Sequence, residues 1–125
     1  MAKKILIIDD DADTRTFLEL LLSENGYLPT TAHNAEDGLV KAKEYRPDLI
    51  TLDIIMPNQT GVKFYRQLHK DDKLSKIPVI ILSGVTSYKD LFGRDHATMP
   101  KPFAFVEKPI NKAELLTKIR EALGQ

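Results

Sequence analysis

Positions 48 to 57 read Asp-Leu-Ile-Thr-Leu-Asp-Ile-Ile-Met-Pro, an apolar run of strand length that ends in an acid and is soon stopped by a proline. A strand apolar on both faces suits the middle of a parallel sheet covered by helices. Open sheets of this kind bind their ligands beyond the carboxyl ends of the strands. Asp53 is therefore expected at the mouth of the sheet, one residue past its core. Taken alone, such an acid does no more than solvate a loop, so the other strand ends decide.

The rest of the chain alternates in the same way. Lys4-Ile5-Leu6-Ile7-Ile8 is a buried strand followed by Asp9-Asp10-Asp11-Ala12-Asp13, with Asp11 as N-cap of a helix whose Phe17, Leu18, Leu21 and Leu22 recur at helical spacing. Asn25-Gly26 ends that helix. A short strand over 27–32 leads to a helix capped by Asn34, with Asp37 in its first turn, a stripe of Leu39, Val40 and Ala42, and a stop at Arg46-Pro47. After the central strand, Asn58-Gln59-Thr60-Gly61 reads as a turn. A helix over 62–69 turns Val62, Tyr65 and Leu68 inward, and 71–76 is a charged surface loop. Pro78-Val79-Ile80-Ile81-Leu82 is a strand ending in Ser83-Gly84. A short helix over 87–92, with Tyr88 and Phe92 as core or partner contacts, precedes an irregular proline-bearing stretch over 94–103. Ala104-Phe105-Val106-Glu107 is the last strand, followed by Lys108-Pro109 and a helix with an Asn111/Glu114 capping box and a stripe of Leu115, Leu116, Ile119 and Leu123. Strands alternating with helices imply a parallel sheet with helices on both faces, in five strand–helix units.

Composition narrows the function. The 125 residues suffice for one domain, expected to span 1–125 without repeat or linker. Lysine plus arginine equals aspartate plus glutamate at 18 each, so nothing argues for broad nucleic-acid or anionic-membrane binding. There is no cysteine, which excludes disulfides, thiolate metal sites and a cysteine nucleophile, and is compatible with the cytoplasm. No apolar run approaches the ~18 residues of a membrane span. His33, His69 and His96 have no ligand-like spacing and read as solvated or capping groups.

Four strand ends carry polar groups: Asp9 and Asp10, Asp53, Ser83, and Lys108. In a parallel sheet these ends share one edge, so weak separate signals become one site. Two ionised carboxylates ~4 Å apart repel by about 4 kcal/mol at an effective dielectric of ~20. Proton uptake or a hard cation relieves this, and an all-oxygen ligand set favours Mg²⁺, with Mn²⁺ as the alternative. Lys108 adds a compact positive charge and Ser83 a hydroxyl donor. A metal, an ammonium, a hydroxyl and a free carboxylate suit phosphoryl transfer to that carboxylate.

These pieces, in this order and at these strand ends, resemble the response-regulator receiver domains, the CheY-like partners of histidine kinases: Ile7-Ile8-Asp9-Asp10, Asp53-Ile54-Ile55-Met56-Pro57 with Gly61 eight positions past the acid, Ser83-Gly84, and Phe105-Val106-Glu107-Lys108-Pro109. The resemblance implies a flavodoxin-like fold, a five-stranded parallel sheet in the order 2-1-3-4-5. It implies Asp53 as phosphoacceptor, fed by a sensor histidine kinase or a histidine phosphotransfer protein in the cytoplasm. Asp10, Asp53 and the backbone carbonyl of Ile55 would ligate Mg²⁺, with Asp9 acting mostly through water. Lys108 would pair with Asp53 and then with the phosphoryl group, and the Lys108–Pro109 bond would be cis. Ser83 would move toward the phosphoryl oxygen and Phe105 would swing inward behind it, switching an output surface for a partner that the sequence does not name, a second copy of the chain being one candidate. Such a module is a signalling domain that assists its own phosphorylation and slow dephosphorylation, rather than a turnover enzyme.

Two departures from the family pattern stand out. The stretch from Arg94 to Pro102 replaces the usual approach to the last strand, which implies an altered output face. Ile55 and Val85 stand where family side chains influence hydrolysis. Both are apolar and cannot hydrogen-bond an attacking water, so a long-lived phosphoryl group is expected. Competing readings fit less well. A haloacid-dehalogenase-type phosphohydrolase wants an acid where Ile55 stands. Asp9-Asp10-Asp11 would repel a flavin phosphate, and the intact set of Asp9, Asp10, Asp53, Ser83 and Lys108 argues against a module that is never phosphorylated.

Overall fold

The computed structural model describes residues 2–84, 92–93 and 98–125, with only the backbone of Gln59. Five parallel strands, β1 (Lys4–Ile8), β2 (Leu28–Ala32), β3 (Leu49–Asp53), β4 (Val79–Ser83) and β5 (Ala104–Glu107), form one sheet in the order β2-β1-β3-β4-β5. Four α-helices lie among the described residues: α1 (Ala12–Glu24), α2 (Ala35–Tyr45), α3 (Thr60–Lys70) and α4 (Lys112–Ala122). This is the expected α/β architecture and strand order. The helix expected over 87–92 falls mostly outside the described residues; Phe92, which is helical and buried, is core.

The register follows from the apolar runs. Every residue of β3 and β4 is buried, as strands covered on both faces require. On one face Leu6, Ile8, Ile50, Leu52 and Ile81 pack with Ala42 of α2 and with Phe64, Tyr65 and Leu68 of α3. On the other face Ile5, Ile7, Leu49, Ile80 and Val106 pack with Leu18, Leu21 and Leu22 of α1 and with Leu115 and Ile119 of α4. The two-residue period of the strands sorts neighbouring side chains onto opposite faces, which gives the sheet two separate apolar layers.

The N-caps are as read. Asp11, Asn34 and Asn111 accept from the backbone N–H groups of Thr14, Asp37 and Glu114. Of the Asn111/Glu114 pairing, this is the half that forms. Arg46 ends α2 in the left-handed region at φ 48°.

Several expectations shift. Val40 is 49% exposed, and Gly38 and Ala42 make the buried line of α2, with Leu39 only partly covered. The turn ahead of α3 is a 3-10 segment, Pro57–Gln59, and Thr60 and Gly61 already belong to the helix, which also buries Phe64. The loop at 71–76 contains a 3-10 turn, Leu74–Lys76, whose Leu74 is core. At Phe64 and Leu74 the cause is the same: charged neighbours in the sequence suggested solvent, and tertiary packing buried the apolar side chain. β2, with Pro29, forms one edge of the sheet, and β5 forms the other.

Candidate functional site

All strands run the same way, so the ends of β1, β3, β4 and β5 bring their polar residues to one rim. Asp9 follows β1 immediately, and its backbone N–H donates to the carbonyl of Ala32 at the end of β2. Asp53 is the last residue of β3, the strand-ending acid expected, and is 6% exposed. Ser83 closes β4 and is buried. Its carbonyl accepts the backbone N–H of Lys108 at 3.0 Å, which ties the end of β5 to that of β4.

Side chains converge accordingly. Carboxylate oxygens of Asp9, Asp10 and Asp53 all lie within 4.8 Å of one another. The Nζ of Lys108 is 3.4 Å from Oδ2 of Asp9 and 3.6 Å from Oδ2 of Asp53. Oδ1 of Asp9 accepts the backbone N–H of Asp11 at 2.9 Å, and Oδ1 of Asp53 accepts that of Ile55 at 3.2 Å. Asp10 is exposed, on the solvent side of the cluster. Burial pushes the Asp53 carboxyl up from 3.8 to about 6; Lys108 pulls it down, while Asp9 and Asp10 push it further up.

An all-oxygen set of crowded carboxylates, one of them reluctant to ionise, fits a hard divalent cation and offers nothing to a soft one. These residues could therefore hold Mg²⁺ or Mn²⁺.

The remaining expected residues fall as follows. Ile55 is 57% exposed beside the cluster. Phe105 is partly buried on the α2–α3 side of the sheet. The Lys108–Pro109 bond is cis. Val85 lies outside the described residues, as do Tyr88 and His96. His33 sits on the surface 3.4 Å from Asp37, and His69 is half-buried against Tyr65, so neither belongs to the site. Asp11 serves its helix, as read: its carboxylate accepts from the backbone and hydroxyl of Thr14, which hold it below the usual carboxylate range.

Two site contacts escape sequence reasoning. Arg15 donates from Nη1 to the backbone carbonyl of Asp9 at 2.7 Å, pinning the acidic loop to α1. Its spacing of one turn past Asp11 is the only signal, and that spacing fits any surface arginine. Gly61, singled out by its spacing, now has a reason: a Cβ there would run into the backbone carbonyl oxygen of Ile54, so α3 approaches the loop after Asp53 as closely as only glycine allows.

A family model described as the response regulator receiver domain matches residues 5–120. The chain belongs to this family. Among relatives of the receiver, protein PilH of Pseudomonas aeruginosa is 32% identical over 122 residues, 97% of this chain and 98% of its own length. The phosphate regulon transcriptional regulatory protein PhoB of Escherichia coli is 28% identical across 98% of this chain, which spans only 52% of PhoB. Among solved structures, chemotaxis protein CheY4 of Vibrio cholerae matches the receiver with a TM-score of 0.87 at 26% identity, covering 98% of this chain and all of that one. No helix among the described residues is long and apolar enough to cross a membrane.

Proposed function

We propose that this receiver, a single unit over residues 1–125, accepts a phosphoryl group on a carboxylate oxygen of Asp53 from a phosphohistidine of a sensor kinase or phosphotransfer protein. The observation that carries the reading is the convergence of Asp9, Asp10, Asp53 and Lys108 at one rim of a parallel sheet. An Asp53 oxygen attacks phosphorus, the P–N bond to the donor imidazole breaks, and its electron pair leaves with the nitrogen. Ionised Asp53 is the nucleophile, and Lys108, already facing it, lowers the cost of that charge and then meets the phosphoryl oxygens. Ser83, at the neighbouring strand end, supplies a hydroxyl donor to one of those oxygens. A divalent cation, held by Asp9, Asp10, Asp53 and the backbone carbonyl of Ile55, would neutralise phosphoryl and carboxylate charge when bound.

Phosphorylation adds charge and acceptor oxygens beside Ser83, and Phe105, partly buried nearby on β5, is the side chain placed to relay it to the surface. On this reading the domain is a switch in the cytoplasm that assists its own phosphorylation and slow dephosphorylation, not a turnover enzyme. Ile55 and Val85 set the lifetime of the phosphoryl group.

Incubation with acetyl phosphate and Mg²⁺ followed by intact mass tests this. The parent gains the mass of one phosphoryl group and Asp53→Ala does not. Equal labelling of both, or of neither, overturns the proposal.

A further inference from the structure

The pole of the sheet opposite Asp53, where β3 and β4 begin, carries a second concave surface. A groove of about 490 Å³ has a floor of Pro47, Leu74 and Ile77 and a rim of Lys43, Arg46, Lys73 and Lys76. An adjoining hollow of about 300 Å³ extends it to Leu39 and Lys70. Among the described residues none of these five cationic side chains forms an ion pair. The one acid lining the groove, Asp71, turns Oδ1 to the backbone N–H groups of Lys73 and Leu74 at 2.9 and 3.0 Å. The whole chain is formally neutral, so this is a local concentration of positive charge.

Helix dipoles account for part of it. Lys43 lies in the last turn of α2, Arg46 caps that helix, and Lys70 ends α3, all places where a cation is favourable. Lys73 and Lys76 lie outside the α-helices, and no dipole argument requires an apolar floor between the charges.

We propose that this groove docks an acidic segment of a partner protein bearing one apolar side chain. That side chain rests on Pro47, Leu74 and Ile77, and the flanking carboxylates meet the lysine and arginine rim. Charge complementarity selects an acidic partner. The lining contains no aromatic ring on which a base could stack, and the neutral chain lacks the broad positive field of nucleic-acid binders, so a peptide fits better than a nucleic acid. The groove is at the far end of the strands from Asp53, so such a partner leaves the phosphoacceptor rim free for a kinase.

Fluorescence anisotropy on the full chain tests the proposal, with a short labelled peptide of glutamates around one central leucine. The parent binds; Lys43→Glu with Lys73→Glu weakens binding by about tenfold or more, while Lys3→Glu with Lys63→Glu, equal in charge but placed elsewhere, leaves it within about twofold. Replacing the leucine by glycine weakens binding, and so does added salt. Lys43→Gln with Lys73→Gln serves if the reversals fail to fold, and circular dichroism checks each variant. The proposal is overturned if the parent does not bind, if both charge pairs weaken binding alike, or if the glycine peptide or a single-stranded RNA of equal charge binds as well as the leucine peptide.

Discussion

Asp53 is asked to be both buried and charged, and its carboxyl titrates near 6 as a result. The folded protein holds this proton more tightly than the unfolded chain does. The stability linked to it is whole below pH 3.8 and is lost as pH rises through about 6. In the metal-free protein Asp53→Asn should therefore be stabilising above pH 7, by at most about 3 kcal/mol, with no gain below pH 4. Denaturant midpoints across pH would show this, and added Mg²⁺ should close the gap between variant and parent. A destabilised Asp53→Asn at pH 7.5 would contradict it. Ile55, exposed at the same rim, cannot orient a water, so Ile55→Asn should shorten the phosphoryl lifetime severalfold in Mg²⁺ buffer, measured as loss of label after the donor is removed.

At the scale of elements, α3 approaches the loop after Asp53 so closely that a side chain at position 61 meets the Ile54 backbone. Gly61→Ala would force Ile54 and its neighbours to shift, costing about 1–3 kcal/mol in urea unfolding and slowing phosphoryl uptake at saturating donor. Asn34→Ala removes the cap of α2, whose Oδ1 accepts the Asp37 N–H at 2.7 Å, at a cost of about 1 kcal/mol with uptake unchanged. The contrast separates an element that shapes the site from one that only supports the fold. It also parallels what the sequence could tell. Caps, strand runs and the polar strand ends are local signals, so Asp11, Asn34, Asp53 and Lys108 were legible. Leu74 and Phe64 were not, because charged neighbours masked their burial. Nor was the bond from Arg15 to Asp9, which depends on how α1 leans on the β1 loop.

For the whole molecule, one sheet serves two apolar layers, so neither layer can open without exposing the strands the other depends on. Ile7→Val and Ile81→Val lie in different layers. Each should cost about 1 kcal/mol, their costs should add within about 0.5 kcal/mol, and the double variant should still melt in a single transition. Separate melting of the two faces by two probes would show that the layers are independent.

The two rims of the sheet are unlike. On β2 the backbone N–H of Leu28 points inward to the carbonyl of Lys3, so the next position, Pro29, faces outward where a donor would otherwise stand. A neighbouring copy seeking to zip onto that border meets a missing rung. Fibre-like stacking through that side is thus disfavoured by one ring-closed nitrogen, and a pair of these molecules would have to meet elsewhere than along β2.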